Sequence, residues 1–140
     1  MSNRVAHFEI QADDVERAAD FYRRMFGWEI TKWDFPKVEG EEQKEYWMIM
    51  TAPKDAKEVG INGGLLKRPE SCKPVEKGQA VTGYVCTIVV DNIDETIAKL
   101  EAEGCICALP KFNIAGMAWQ AYYLDTEKNV FGIHQALMKE

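Results

Sequence analysis

Two histidines in 140 residues leave little room for chemistry that depends on them. Histidine is the commonest metal ligand and the usual proton carrier near neutral pH, so a site of either kind would need carboxylates or thiols as well. The four cysteines, Cys72, Cys86, Cys105 and Cys107, form no CxxC pair. A zinc ribbon or a thioredoxin-like motif is therefore absent, and the expectation is reduced, half-buried thiols in a cytoplasmic protein. Basic residues are in deficit, with 17 Lys and Arg against 23 Asp and Glu and a net charge of −6. That balance argues against nucleic acid and against an anionic membrane surface as partners. No apolar run approaches the roughly 20 residues of a membrane span, and the first residues lack the apolar segment of a signal peptide. Gly60-Ile-Asn-Gly-Gly is followed by no GK[ST], and no GxSxG occurs, which removes the phosphate loop and the nucleophile elbow.

What remains is an ordinary globular composition, 46% hydrophobic and 29% charged, in a chain long enough to bury its own core. Alternation from Val5 to Gln11 predicts a strand. Asp13 and Asp14 supply cap chemistry for a helix whose apolar face is Val15, Ala18, Ala19, Tyr22, Met25 and Phe26, with Gly27 as its stop. Strands are predicted over 28–33, 46–50 and 60–66, with a loop from Asp34 to Lys44. Pro69, Pro74 and Gly78 punctuate a linker over 68–79. The order then repeats. A strand over 81–90 leads to Asp91 and Asn92 as caps, then to a helix with Ile93, Ile97 and Leu100 on one face and Gly104 as stop. Strands follow over 105–109, ended by Pro110, over 117–124 and over 130–135, the last two joined by a turn at Asp125–Asn129. Aligning the caps gives an offset of 78 residues, so His7 corresponds to Val85. The expectation is an α+β chain of two βαβββ modules, 1–67 and 80–140.

His7-Phe-Glu-Ile-Gln, then Phe21-Tyr22, then Phe26-Gly27-Trp28, and Asp125-Thr-Glu-Lys-Asn-Val-Phe-Gly near the end, resemble the vicinal oxygen chelate superfamily. That group includes glyoxalase I, bleomycin-resistance proteins and extradiol dioxygenases. The resemblance spans nearly the whole chain. It implies two βαβββ modules forming a curled sheet around a central cleft, and in metal-dependent members four ligands to a divalent ion, on the first and last strands of each module. Those positions fall here on His7, Gly64, Val85 and Gly132, of which only His7 can bind a metal. No metal or other cofactor is therefore expected in the family's usual place.

Alternation puts His7 and Glu9 on the face away from the helix, and His134 shares a face with Gly132. A shifted set of His7, Glu9 and His134 could rebuild a divalent-metal site or act as an acid–base group. The ligand-binding candidates are His7, Glu9, Gly64, Val85, Trp119, Tyr123, Gly132 and His134. The glycines read either as room for a ligand group or as places of tight packing. Strand aromatics (Trp28, Trp33, Trp47, Tyr46, Trp119, Tyr122 and Tyr123) could stack on a flat or cationic ligand, or pack beneath the helices. Two functional readings stand side by side. One is a metal-independent binder of a small organic molecule. The other is a remodelled glyoxalase- or dioxygenase-like metalloenzyme using His7, Glu9 and His134. A homodimer is expected in either case.

Overall fold

A computed structural model describes residues 5–34, 45–58, 60–71 and 84–137. The chain divides into two units, Met1–Cys72 and Lys73–Glu140. The first contains β1 (Phe8–Ala12), α1 (Val15–Phe26), β2 (Glu29–Trp33), β3 (Tyr46–Met50) and β4 (Gly63–Lys67). The second contains β5 (Thr87–Val89), α2 (Ile93–Ala102), β6 (Cys107–Ile114), β7 (Ala118–Leu124) and β8 (Val130–Ala136). Each unit is βαβββ. The sheet orders, β1-β4-β3-β2 and β5-β8-β7-β6, are the same permutation. In both, the first and last strands pair in parallel and the others pair antiparallel.

The repeat offset survives at atomic level. Asp14 and Asn92, 78 residues apart, each accept a hydrogen bond from the backbone N–H three residues on, at 3.0 Å from Arg17 and 3.1 Å from Glu95. Each thus satisfies one of the donors a helix start leaves open. Beyond the helices, Gly27 and Gly104 take φ of 69° and 80°, which a side chain would resist.

In module 1 the sheet buries Ile30, Ile49 and Leu65 beneath α1, whose Val15, Ala18, Ala19 and Tyr22 face it. Phe8 joins this side through Trp28, which stacks on Tyr22 with centroids 5.0 Å apart. In module 2 the corresponding side holds Ala121, Tyr123, Phe131 and Ile133. The Gln135 side chain accepts the Ile93 N–H at 2.8 Å, which gives α2 a second cap from the sheet.

Two boundaries differ from the sequence reading. Pro110 does not end β6, which runs from Cys107 to Ile114. The strand is at the sheet edge, and its register shifts on both sides of Leu109, so the missing N–H disturbs no interior ladder. Arg68, assigned to the linker by sequence, is anchored in module 1. Its backbone N–H bonds the Ala12 carbonyl, and its guanidinium pairs with Asp13 at 3.0 Å and donates to the Gln11 carbonyl. Residues 72–80, most of that linker, and the start of the strand expected from residue 81 lie outside the described residues. Among the described residues no helix is long and apolar enough to cross a membrane.

Candidate functional site

Each sheet has one face beneath its helix and one face away from it, and strand pairing fixes which side chains share the second. In module 1 one row across the four strands is Glu9, Gly64, Met48 and Thr31. The next is Gln11, Leu66, Tyr46 and Trp33. In module 2 the equivalent rows are Thr87, Gly132, Tyr122 and Leu109, then Val89, His134, Gln120 and Phe112. His7 immediately precedes β1, and its equivalent Val85 precedes β5.

The two glycines where the resemblance expects carboxylates are covered by the protein's own side chains. A Cβ on Gly64 would run into the Tyr46 phenol, which lies diagonally across from it. A Cβ on Gly132 would come within 2.8 Å of both Gln120 Nε2 and Thr87 Oγ1. Tyr46 and Gln120 occupy the same place in the two modules. Both glycines are buried, so of the two readings offered by sequence the structure shows tight packing.

Each histidine is bound to the residue that covers the glycine. His7 Nε2 lies 3.2 Å from Tyr46 Oη. Burial raises the Tyr46 pKa above its ordinary value, and the negative charge of Glu9 raises it further. The phenol therefore keeps its proton, and the His7 tautomer decides which partner donates. His134 Nδ1 lies 2.8 Å from Gln120 Oε1, and Gln120 Nε2 reaches Thr87 Oγ1 at 3.4 Å. An amide carbonyl only accepts, so His134 carries its proton on Nδ1.

These residues do not fit the family's divalent ion. Of its four positions, Gly64, Val85 and Gly132 offer no donor atom, and the ring nitrogen of His7 nearest the site is taken by Tyr46. Among the described residues no group of three or more His, Cys, Asp and Glu is gathered as a metal site requires. His7 and Glu9 belong to module 1 and His134 to module 2.

The aromatic candidates separate by face. Trp33, Tyr46 and Tyr122 lie on the helix-free faces, together with Phe112, which stacks on Tyr122 at 6.4 Å. Trp28 and Trp47 lie on the helix side of module 1. Trp119 and Tyr123, both sequence candidates for ligand contact, lie on the helix side of module 2, away from the face that carries His134 and Gly132. The Tyr123 hydroxyl donates to Glu101 of α2 at 3.5 Å. Trp119 sits under Lys111, whose Nζ is 4.2 Å from the ring centroid and bonds Asp94 of α2 at 2.8 Å. β7 alternates with period two, so this pair cannot share a face with His134. Gln120 was not foreseen from sequence, and Tyr46 was foreseen only as a stacking aromatic and not as the cover of Gly64. Alternation alone puts Tyr46 with Met48 on one face, but pairing it with Gln120 requires the strand register.

A family model described as "Bleomycin resistance protein-like N-terminal" matches residues 4–38. No curated protein matches the chain. Among solved structures, TnmS3, an antibiotic binding protein from Streptomyces sp. CB03234, is 25% identical, with 96% of this chain and 97% of that one covered and a TM-score of 0.62. The fosfomycin resistance protein FosX of Listeria monocytogenes is 13% identical over 99% and 97% of the two chains, with a TM-score of 0.66. Glyoxalase I of Leishmania major is 18% identical over 96% and 86%, with a TM-score of 0.64. With the βαβββ repeat found in both halves, these likenesses give the chain the fold of the vicinal oxygen chelate superfamily.

Proposed function

We propose that the protein binds a flat organic molecule of antibiotic type, without a metal ion, on the helix-free faces of its sheets. The observation that carries this reading is the filling of both glycine positions. Tyr46 stands over Gly64, and Gln120 with Thr87 stands over Gly132, where metal-binding carboxylates would otherwise project. The same faces present Trp33, Met48, Leu109 and Phe112, each more than a third exposed. Apolar walls with a few fixed polar groups are the usual make-up of a small-molecule site. The likeness to an antibiotic binding protein supports sequestration rather than turnover. A cytoplasmic homodimer belongs to the same reading.

The test is metal content together with binding. Purified protein should hold no stoichiometric divalent ion, and calorimetry with 2-naphthol, a flat bicyclic probe, should give the same affinity with and without EDTA. One tightly held divalent ion per chain, lost in His7→Ala, would instead establish the remodelled metalloenzyme built on His7, Glu9 and His134. A single-chain mass in sedimentation at micromolar concentration would remove the dimer.

A further inference from the structure

The helix-free face of module 2 carries a hydrogen-bond acceptor whose direction is fixed. Gln120 spans two neighbours, with its carbonyl accepting from His134 Nδ1 at 2.8 Å and its amide nitrogen directed at Thr87 Oγ1. Gln120 is itself only 4% exposed, so this bracket is shielded from competing water. With the proton held on Nδ1, the lone pair of the neutral ring is on Nε2. That atom makes no hydrogen bond among the described residues, and the ring is half-buried. Around it on the same face are Val89 on one flanking strand and Phe112 beyond Gln120 on the other, with Tyr122 and Leu109 in the adjacent row. Val89 is 76% exposed and Leu109 40%. Module 1 differs in this respect, because His7 Nε2 is already paired with the Tyr46 hydroxyl.

We infer that His134 Nε2 is the anchoring acceptor of this protein's ligand site, taking a hydroxyl or N–H at the rim of a flat aromatic molecule that lies against Phe112 and Tyr122. Gln120 acts as the positioning residue that sets the ring's tautomer. The inference rests on the proposed binding function and adds the chemical class of the ligand: an aromatic bearing a hydrogen-bond donor. A ligand that covers this acceptor without supplying a donor leaves it unpaired at a cost, so the site should discriminate against ligands that lack one.

Two measurements test it. Long-range proton–nitrogen NMR of the ligand-free protein should show His134 in the Nδ1–H form. Gln120→Glu should keep that form, and Gln120→Met should release it to a mixture. An Nε2–H ring in the parent protein would overturn the inference without touching the binding function. The second measurement compares 2-naphthol with its methyl ether in EDTA. The parent protein should prefer the naphthol about tenfold, the worth of one hydrogen bond. His134→Phe, which keeps a flat ring and loses the acceptor, should bind both equally. A preference that is absent in the parent, or that survives in His134→Phe, overturns the acceptor role alone. Failure of both probes to bind at millimolar concentration overturns the acceptor and the binding function together.

Discussion

In module 1 the histidine precedes the first strand and is hydrogen-bonded to a phenol. In module 2 it stands on the last strand and donates a hydrogen bond to an amide carbonyl. The residues at the exchanged places are apolar, Val85 for His7 and Leu66 for His134. The residue over the glycine comes from the same third-strand position in both, Tyr46 or Gln120. The helix side shows a similar exchange of volume. Phe8 of β1 packs over Gly63, whereas the equivalents in module 2 are Cys86 and Phe131. The two halves thus keep one backbone and fill its corners from different strands. A corner closed from either side satisfies the same packing requirement. Only the chemistry left facing outward differs: the Nε2 of His7 is taken by Tyr46, and that of His134 is left open among the described residues.

The strongest way to break this comparison is to fill a glycine. A Cβ on Gly63 would collide with the Phe8 backbone carbonyl and come within 2.8 Å of its ring. Backbone cannot step aside as a side chain can, so β1 and β4 would have to part. Gly63→Ala should cost about 3 kcal/mol or more in urea unfolding. At Gly132 the obstacles are the side-chain ends of Gln120 and Thr87, and Gly132→Ala should cost about 1 kcal/mol. Equal losses at the two sites would mean that the backbone contact in module 1 is no more rigid than the side-chain contact in module 2.

The connections before the last strands give the next largest contrast. Asp125 is 6% exposed, and its Oδ1 accepts the N–H groups of Glu127 and Asn129 at 2.8 and 2.9 Å. Asn62, before β4, holds the Thr51 N–H at 2.9 Å in an exposed setting. Asp125→Ala leaves buried donors unpaired and should cost about 2 kcal/mol, against about 0.5–1 for Asn62→Ala. Thermal unfolding of the two variants measures the gap.

The parts legible in sequence are those fixed by local chemistry. Caps at Asp14 and Asn92, glycine stops and the Asp125 turn involve neighbours within four residues, and the cap offset of 78 exposed the repeat. Strand alternation correctly grouped Trp119 with Tyr123 and Gly132 with His134, but which group faces the helix depends on contacts with Glu101 and Asp94. The role of Tyr46 and Gln120 was not legible, because each covers a glycine on a neighbouring strand. Pro110 misled because an edge strand tolerates what an interior strand does not.

Alkaline pH should separate the modules by a smaller amount. In module 2 burial, then the charges of Glu103 and Asp125, raise the Cys105 thiol from 9.0 to about 11. The folded state therefore holds this proton more tightly than the unfolded chain. Its contribution is complete below pH 9 and is lost as pH rises toward 11. Among the described residues of module 1 the raised group is Tyr46, whose ordinary value is already 10.0. Urea midpoints should fall between pH 8.5 and 10.5 in the parent and fall less in Cys105→Ala. An equal fall in that variant would assign the loss to another group.

The smallest contrast is at the helix starts, where the modules look most alike. Asp14 and Asn92 make the same cap bond, but α2 also receives the Gln135 side chain at Ile93, and α1 receives a negative charge on its positive end. Removing Asp14 takes away a hydrogen bond and a favourable charge together, about 1–1.5 kcal/mol. Removing Asn92 leaves Gln135 in place, and Asn92→Ala should cost about 0.5–1 kcal/mol. Combining Asn92→Ala with Gln135→Ala should bring the loss in module 2 up to that of Asp14→Ala alone. Added salt should shrink the Asp14 effect and leave the Asn92 effect unchanged, because only the first contains a charge. A salt response common to both would show that the two caps differ in geometry and not in charge.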